Sequence, residues 1–144
     1  MAEVVKVKSG SAFEDRNSFC RVVRAGNLIF SSNSSGRNYA TGVMPADPVE
    51  QMLQAIDNID HALSAVGASV ADSVRVQVSL TSLDYQDALL AAFGKRFAGI
   101  DPALTLICQS FVGDVKVEVE ITAYRSADGS PPETVRMASP PPSG

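Results

Sequence analysis

Apolar and polar residues alternate without a break along Val115–Tyr124, VKVEVEITAY. Val115, Val117, Val119 and Ile121 fall on one side, and Lys116, Glu118, Glu120 and Thr122 on the other. Side chains of a strand alternate between two faces, so this segment reads as a strand with one apolar and one charged face. Ser73–Thr81, SVRVQVSLT, repeats the pattern, with Val74, Val76, Val78 and Leu80 set against Arg75, Gln77, Ser79 and Thr81. Glu3–Lys8 reads as a short strand. Phe19–Arg24 and Leu28–Ser32 read as a hairpin turning at Gly26-Asn27. Thr105–Phe111 and Val115–Tyr124 are the last two strands, joined at Gly113-Asp114.

Two segments have helical spacing. Asp47 is a good N-cap, Pro48 suits the first helical position, and Glu50 stands where a capping box needs it. Met52, Ile56, Ile59, Leu63 and Val66 then form one apolar stripe, which Gly67 ends. His61 shares the polar side of this helix with Asp57, Asn58 and Ser64, which reads as solvated surface. A second helix spans about Tyr85–Phe97, with Leu89, Leu90, Phe93 and Phe97 inward.

Two helices cover one face of a six-stranded mixed sheet and leave the other to Arg75, Gln77, Lys116, Glu118 and Glu120. Burying such charges unpaired is costly. That face is therefore wet, as in many antiparallel sheets, or another subunit covers it and polar clefts form between subunits.

With 144 residues, 45% of them hydrophobic and 19% charged, the chain has the make-up of a single globular domain. Its boundaries read as 1–125, followed by a Pro- and Ser-rich tail over 126–144 that lacks the apolar surface to order itself. The net charge of −4 speaks against nucleic-acid and membrane-surface partners, which favour a basic field. MAEVVKVKSGS has no apolar stretch of signal-peptide length, so a cytoplasmic protein is expected. The two cysteines, Cys20 and Cys108, and the one histidine, His61, lack the spacing of a metal site or a nucleophile system, so a His/Cys metal site is not expected.

This order of elements resembles the RidA/YjgF family. The resemblance rests on RVVRAGNLIFSS, EQMLQAIDNIDHALSAVGAS, VRVQVSLTSLDY and above all IDPAL…DVKVEVEITAY, and covers about Phe13 to Arg125. It implies a chorismate-mutase-like α+β fold, a trimer with its sheets facing inward, and sites in the clefts between subunits. It also implies hydrolysis of reactive enamines or imines to keto compounds and ammonia, without a cofactor. The family's site residues carry over in part. Its arginine after Pro-Ala is replaced by Leu104, its asparagine in the second helix falls at Leu89, and its tyrosine on the second strand at Phe19. Its Ser-Gly appears as Ser31-Ser32, while the acidic residue of the last strand is kept as Glu118. A leucine cannot make the bidentate contact of arginine with a carboxylate, so the resemblance is to a divergent branch of the family. The chain's opening segment and GRNYATG loop are most similar to the branch that deaminates 2-aminomuconate.

Glu118 is the expected proton shuttle, its pKa raised by desolvation and by the like charge of Glu120. The competing reading is a structural ion pair with Lys116, Arg75 or a neighbouring subunit. Arg37 and Asn38, in a Ser/Gly-rich loop, are expected to bind an anionic substrate with help from Asn33 and Ser32. Arg16 and Arg75 are further cationic candidates. Phe19 and Leu104 would make the pocket apolar, and Cys108 is expected near it as a small packed residue. The alternative function is a non-catalytic member that binds a metabolite or a partner protein in the same cleft.

Overall fold

The computed structural model describes residues 2–138 and 142–143. The elements run β1 (Val4–Val7), α1 (Ala12–Arg16), β2 (Val22–Ala25), β3 (Leu28–Ser31), β4 (Ser34–Ser35), α2 (Pro48–Ser64), β5 (Ser73–Leu80), α3 (Gln86–Arg96), β6 (Ala103–Cys108) and β7 (Val117–Tyr124). One-turn 3₁₀ helices lead into β5 and α3. This is the expected α+β fold with a mixed sheet, but with seven strands rather than six: the order is β1-β2-β3-β7-β5-β6, and the two-residue β4 also pairs with β7. All pairings are antiparallel except β5 with β6, which need the crossover supplied by α3. The last two strands in sequence are therefore not neighbours, because β5 lies between them, and β6 is an edge strand.

The Asp47 carboxylate accepts the Glu50 N–H at 3.0 Å with Pro48 at the first helical position, so α2 starts where its signals place it. Its buried stripe of Met52, Ala55, Ile56, Ile59 and Leu63 packs on Val76, Val78 and Leu80 of β5 and Val117, Val119 and Ile121 of β7. Leu89, Phe93 and Phe97 extend the same core, while Leu90 is only half-buried. Gly26, at φ +60°, makes the two-residue turn between β2 and β3. Val74 departs from the alternation: a register shift between Ser73 and Arg75 puts Ser73 in the core and leaves Val74 exposed.

A third, short helix, α1, is an addition to the two expected. Its N-cap Ser11 accepts the Phe13 N–H, and the sequence Ser11-Ala12-Phe13-Glu14 has the S-x-x-E spacing of a helix start. The chain leaves α1 through Ser18 in the left-handed region (φ 58°), with the Phe19 N–H donating to the Glu14 carbonyl. This is the six-to-one bond of a Schellman turn, with serine where glycine is usual. As a result the residues expected as strand from Phe19 become a turn that sets Phe19 and Arg21, and β2 starts at Val22.

The 126–138 segment forms no helix or strand, and residues 139–141 and 144 of the expected disordered tail lie outside the described residues. Among the described residues no helix is long and apolar enough to cross a membrane.

Candidate active site

Glu118 stands on the face of β7 away from the helices. Its strand neighbours Val117 and Val119 are fully buried in the core, and Ser79 of β5 and Ser35 of β4 lie opposite it. The β3–β7 ladder stops at Phe30–Thr122, and the β4–β7 ladder starts at Ser34–Val119. Ser31, Ser32 and Asn33 thus oppose only Glu120 and Ile121, a bulge in which the Ser31 hydroxyl accepts the Ile121 N–H at 2.8 Å. The bulge turns Asn33 toward β7, where its Nδ2 donates to Glu118 Oε2 at 2.5 Å.

A cleft of about 250 Å³ opens there, lined by Ser11, Phe13, Phe19, Arg21, Asn33, Ser35, Arg37, Tyr39 and Glu118. Of the residues expected at the site, it brings together Glu118, Asn33, Arg37 and Phe19. Arg37 is half-exposed, its Nη1 donates to the Gly42 carbonyl at 2.8 Å, and its Nη2 lies 3.7 Å from Asp114. Its loop is pinned from below. Gly36 lies so close to α2 that a Cβ there would sit 2.3 Å from the Gln51 carbonyl oxygen. Asn58, expected as polar surface, is instead buried, and its Nδ2 donates to the carbonyls of Ser35 and Arg37 at 3.2 and 2.8 Å.

Four expected residues lie elsewhere. Leu104 and Cys108 pair in register with Val76 and Leu80, so they sit on the helix-covered face of the sheet, opposite to Glu118. Both are still exposed, because β6 is the sheet's edge and the helices do not reach across it. The Ser32 hydroxyl donates to the Cys20 carbonyl. Asn38 Oδ1 accepts the N–H groups of Ala40 and Thr41, an Asx turn that shapes the loop.

Arg21 was not among the expected residues, and the site is built around it. Its Nε and Nη2 donate to Glu14 Oε2, both at 3.3 Å, and its Nη1 to the Asn33 carbonyl at 3.2 Å and the Ser34 hydroxyl at 3.0 Å. Its guanidinium lies 5.6 Å from the centre of the Phe19 ring. Glu14 has no exposed surface. Burial by itself would raise the Glu14 pKa, but hydrogen bonds from the Ser9 hydroxyl and N–H, together with the Arg21 charge, outweigh it and hold the carboxyl below its ordinary value. Glu118 is shifted the other way. Burial raises its pKa and the Arg21 charge offsets part of the rise. The like-charge push expected from Glu120 is not among the causes. Two buried polar atoms at this place have no partner, Asn33 Oδ1 and Ser79 Oγ.

Comparison with known proteins places this geometry in a wider set. Residues 9–125 match the family model described as Endoribonuclease L-PSP. An uncharacterized protein of Streptomyces coelicolor is 30% identical over 126 residues, which span 86% of this chain and 94% of the relative. The 2-iminobutanoate/2-iminopropanoate deaminase of Escherichia coli is 33% identical over 107 residues, spanning 72% of this chain and 84% of that protein. Among solved structures, a member of the YjgF/YER057c/UK114 family from Mycobacterium tuberculosis superposes with a TM-score of 0.77 at 27% identity, covering 85% of this chain and 99% of that one.

Proposed function

The chain belongs to the RidA/YjgF family, and from that premise we propose that it is a cofactor-independent hydrolase that converts an enamine or imine acid to the 2-oxo acid and ammonia. The observation that carries this reading is the Glu118 carboxyl: half-buried, raised in pKa, held by Asn33, and open to a cleft that also holds Arg37 and Phe19. Hydrolysis of an enamine requires a proton on carbon, water added to the resulting C=N carbon, and a proton on the departing nitrogen. A single carboxyl that gives up and takes back a proton, acting through one water, can serve each step. The relative named as an imine deaminase supports the reaction class.

For the substrate we favour a conjugated dicarboxylate such as 2-aminomuconate, the product entering the breakdown of an aminoaromatic compound. The relatives described above do not carry that name, and the support lies in the cleft. Arg37 offers a guanidinium to a carboxylate, and Phe19 and Phe13, with ring centroids 5.7 Å apart, offer aromatic surface to a planar chain. The test is ammonia release from freshly generated 2-aminomuconate beside 2-iminopropionate. The expected result is turnover of the muconate, with Arg37→Ala raising its KM about 10- to 100-fold, the worth of a hydrogen bond to a charged group. Release from 2-iminopropionate alone, or an unmoved KM, removes the dicarboxylate reading.

One observation favours a non-catalytic binding protein as the second reading. No guanidinium stands at position 104, and Leu104 faces away from Glu118. Ammonia release from neither substrate would favour it.

A homotrimer with its sheets facing inward completes the proposal. The uncovered sheet face carries Arg75, Gln77 and Glu120, alongside exposed Leu28, Phe30 and Ile107, and the unpartnered Ser79 hydroxyl. Polar groups with apolar neighbours suit a subunit interface. Sedimentation at micromolar concentration is expected to give three times the 15.2 kDa chain mass. A stable monomer overturns the assembly.

A further inference from the structure

Behind the cleft, on the far side of Arg21, lies a second carboxylate for which the proposed reaction has no use. Glu14 is fully buried, and its partner Arg21 is 8% exposed and fixed by four hydrogen bonds. Arg21 holds the Asn33 backbone, and the Asn33 side chain holds Glu118. One guanidinium therefore stands between a carboxylate that cannot reach substrate and one that can. We propose that Arg21 is a positioning residue that sets the pH at which Glu118 gains and loses its proton, and that Glu14 is the counter-charge that limits this influence. The activity part of this inference rests on the proposed role of Glu118, while the electrostatic part does not.

Charges act strongly on one another where water is scarce. With Glu14 ionised, Arg21 is neutralised on its inner side and only part of its field reaches Glu118, so burial keeps the net shift upward. The other groups around Glu118 are accounted for. Arg37 and Tyr39 come from the loop after β4, with Asp114 near Arg37. Ser79 and Ser35 are its neutral strand partners. On β5, Gln77 pairs with Glu120 and Arg75 with Thr122, further along the sheet. Lys116 is turned away, its Nζ donating to the Ala46 carbonyl at 2.6 Å. Arg21 is the group whose charge acts on Glu118.

Opposite signs for the two partners follow. Arg21→Gln removes the charge that favours ionised Glu118 and moves its titration to higher pH. Glu14→Gln frees the Arg21 charge and moves it to lower pH. A merely structural role would move neither, or both the same way.

The measurement is a carboxyl ¹³C NMR titration of the full chain, with Glu118 assigned by the signal that Glu118→Gln deletes. Displacements of about one unit in opposite directions are expected. The pH profile of kcat/KM for ammonia release should follow them. Should either variant fail to fold, Glu14→Asp and Arg21→Lys retain both charges while loosening the fork, and shift the titration in the same directions by less. Unmoved titrations, or shifts of one sign, overturn the inference. Opposite shifts in a protein that releases no ammonia would uphold the tuning and remove the proposed reaction.

Discussion

Glu118→Gln is expected to lower kcat for ammonia release by about 10²–10⁴-fold, the usual share of a positioned acid–base group. The substitution keeps the shape of the side chain and leaves an amide oxygen to accept from Asn33 Nδ2. Stability should move the other way, which separates chemistry from folding. The folded-state pKa of Glu118 is raised. The native state therefore binds more protons than the unfolded chain between the ordinary and the raised values, and stability is lost as pH rises through that window. Above it the wild type bears the cost of a half-buried carboxylate, from which the glutamine variant is free. Above that window its melting temperature should equal or exceed that of the wild type. Unchanged turnover would remove Glu118 from the mechanism. A melting temperature that falls along with turnover would make Glu118 a structural residue.

The second large effect is expected at Gln51, far from any reacting atom. This fully buried side chain uses both of its donors and its acceptor oxygen twice. Nε2 donates to the carbonyls of Pro45 and Asp114 at 2.7 and 3.0 Å, and Oε1 accepts the N–H groups of Lys116 and Val117 at 2.8 and 3.3 Å. It ties α2 to the loop before it and to the start of the strand that carries Glu118. Gln51→Leu keeps the volume and strands four backbone groups. At about 1–3 kcal/mol for each group left buried and unpaired, and with some of them reaching water through local movement, the loss should be about 3–5 kcal/mol. The measurement is the urea midpoint at constant m-value. A loss under about 1 kcal/mol would show that water replaces the amide at little cost. Because the Gln51 backbone also abuts Gly36, the variant should lose activity at temperatures where it is still folded.

How much of this was legible in the sequence depended on how far apart the cooperating residues lie. Periodicity placed β5, β7 and α2 well because each signal is local: alternation in VKVEVE, an apolar stripe after Asp47-Pro48. Glu118 was legible for the same reason, as the polar parity of an alternating strand. The boundary between Phe19 and Val22 was misplaced because α1 was missed, although Ser11 and Glu14 carry a recognised helix-start spacing. Arg21 and Glu14 were illegible as a pair, since nothing local says that a polar residue beside a strand is buried against an acid seven positions earlier. Leu104 and Cys108 were drawn to the pocket by resemblance. Yet their alternation with Leu106, itself packed on the core, already put them on the apolar side. Asn58 looked solvated because its helix has a polar side there, and only the fold shows that a loop covers that side.

The position of β6 has a consequence for handling the protein. Ala103–Cys108 reads ALTLIC, six residues without charge, proline or glycine, at the edge of the sheet and largely exposed. Such an edge can template the addition of a further strand. The nearest interruptions are Asp101-Pro102 on one side and the loop from Gln109 on the other, and they flank the segment without breaking it. With this edge bare the chain offers a ready template for strand addition, so aggregation is expected to begin at β6 even when the fold itself is intact.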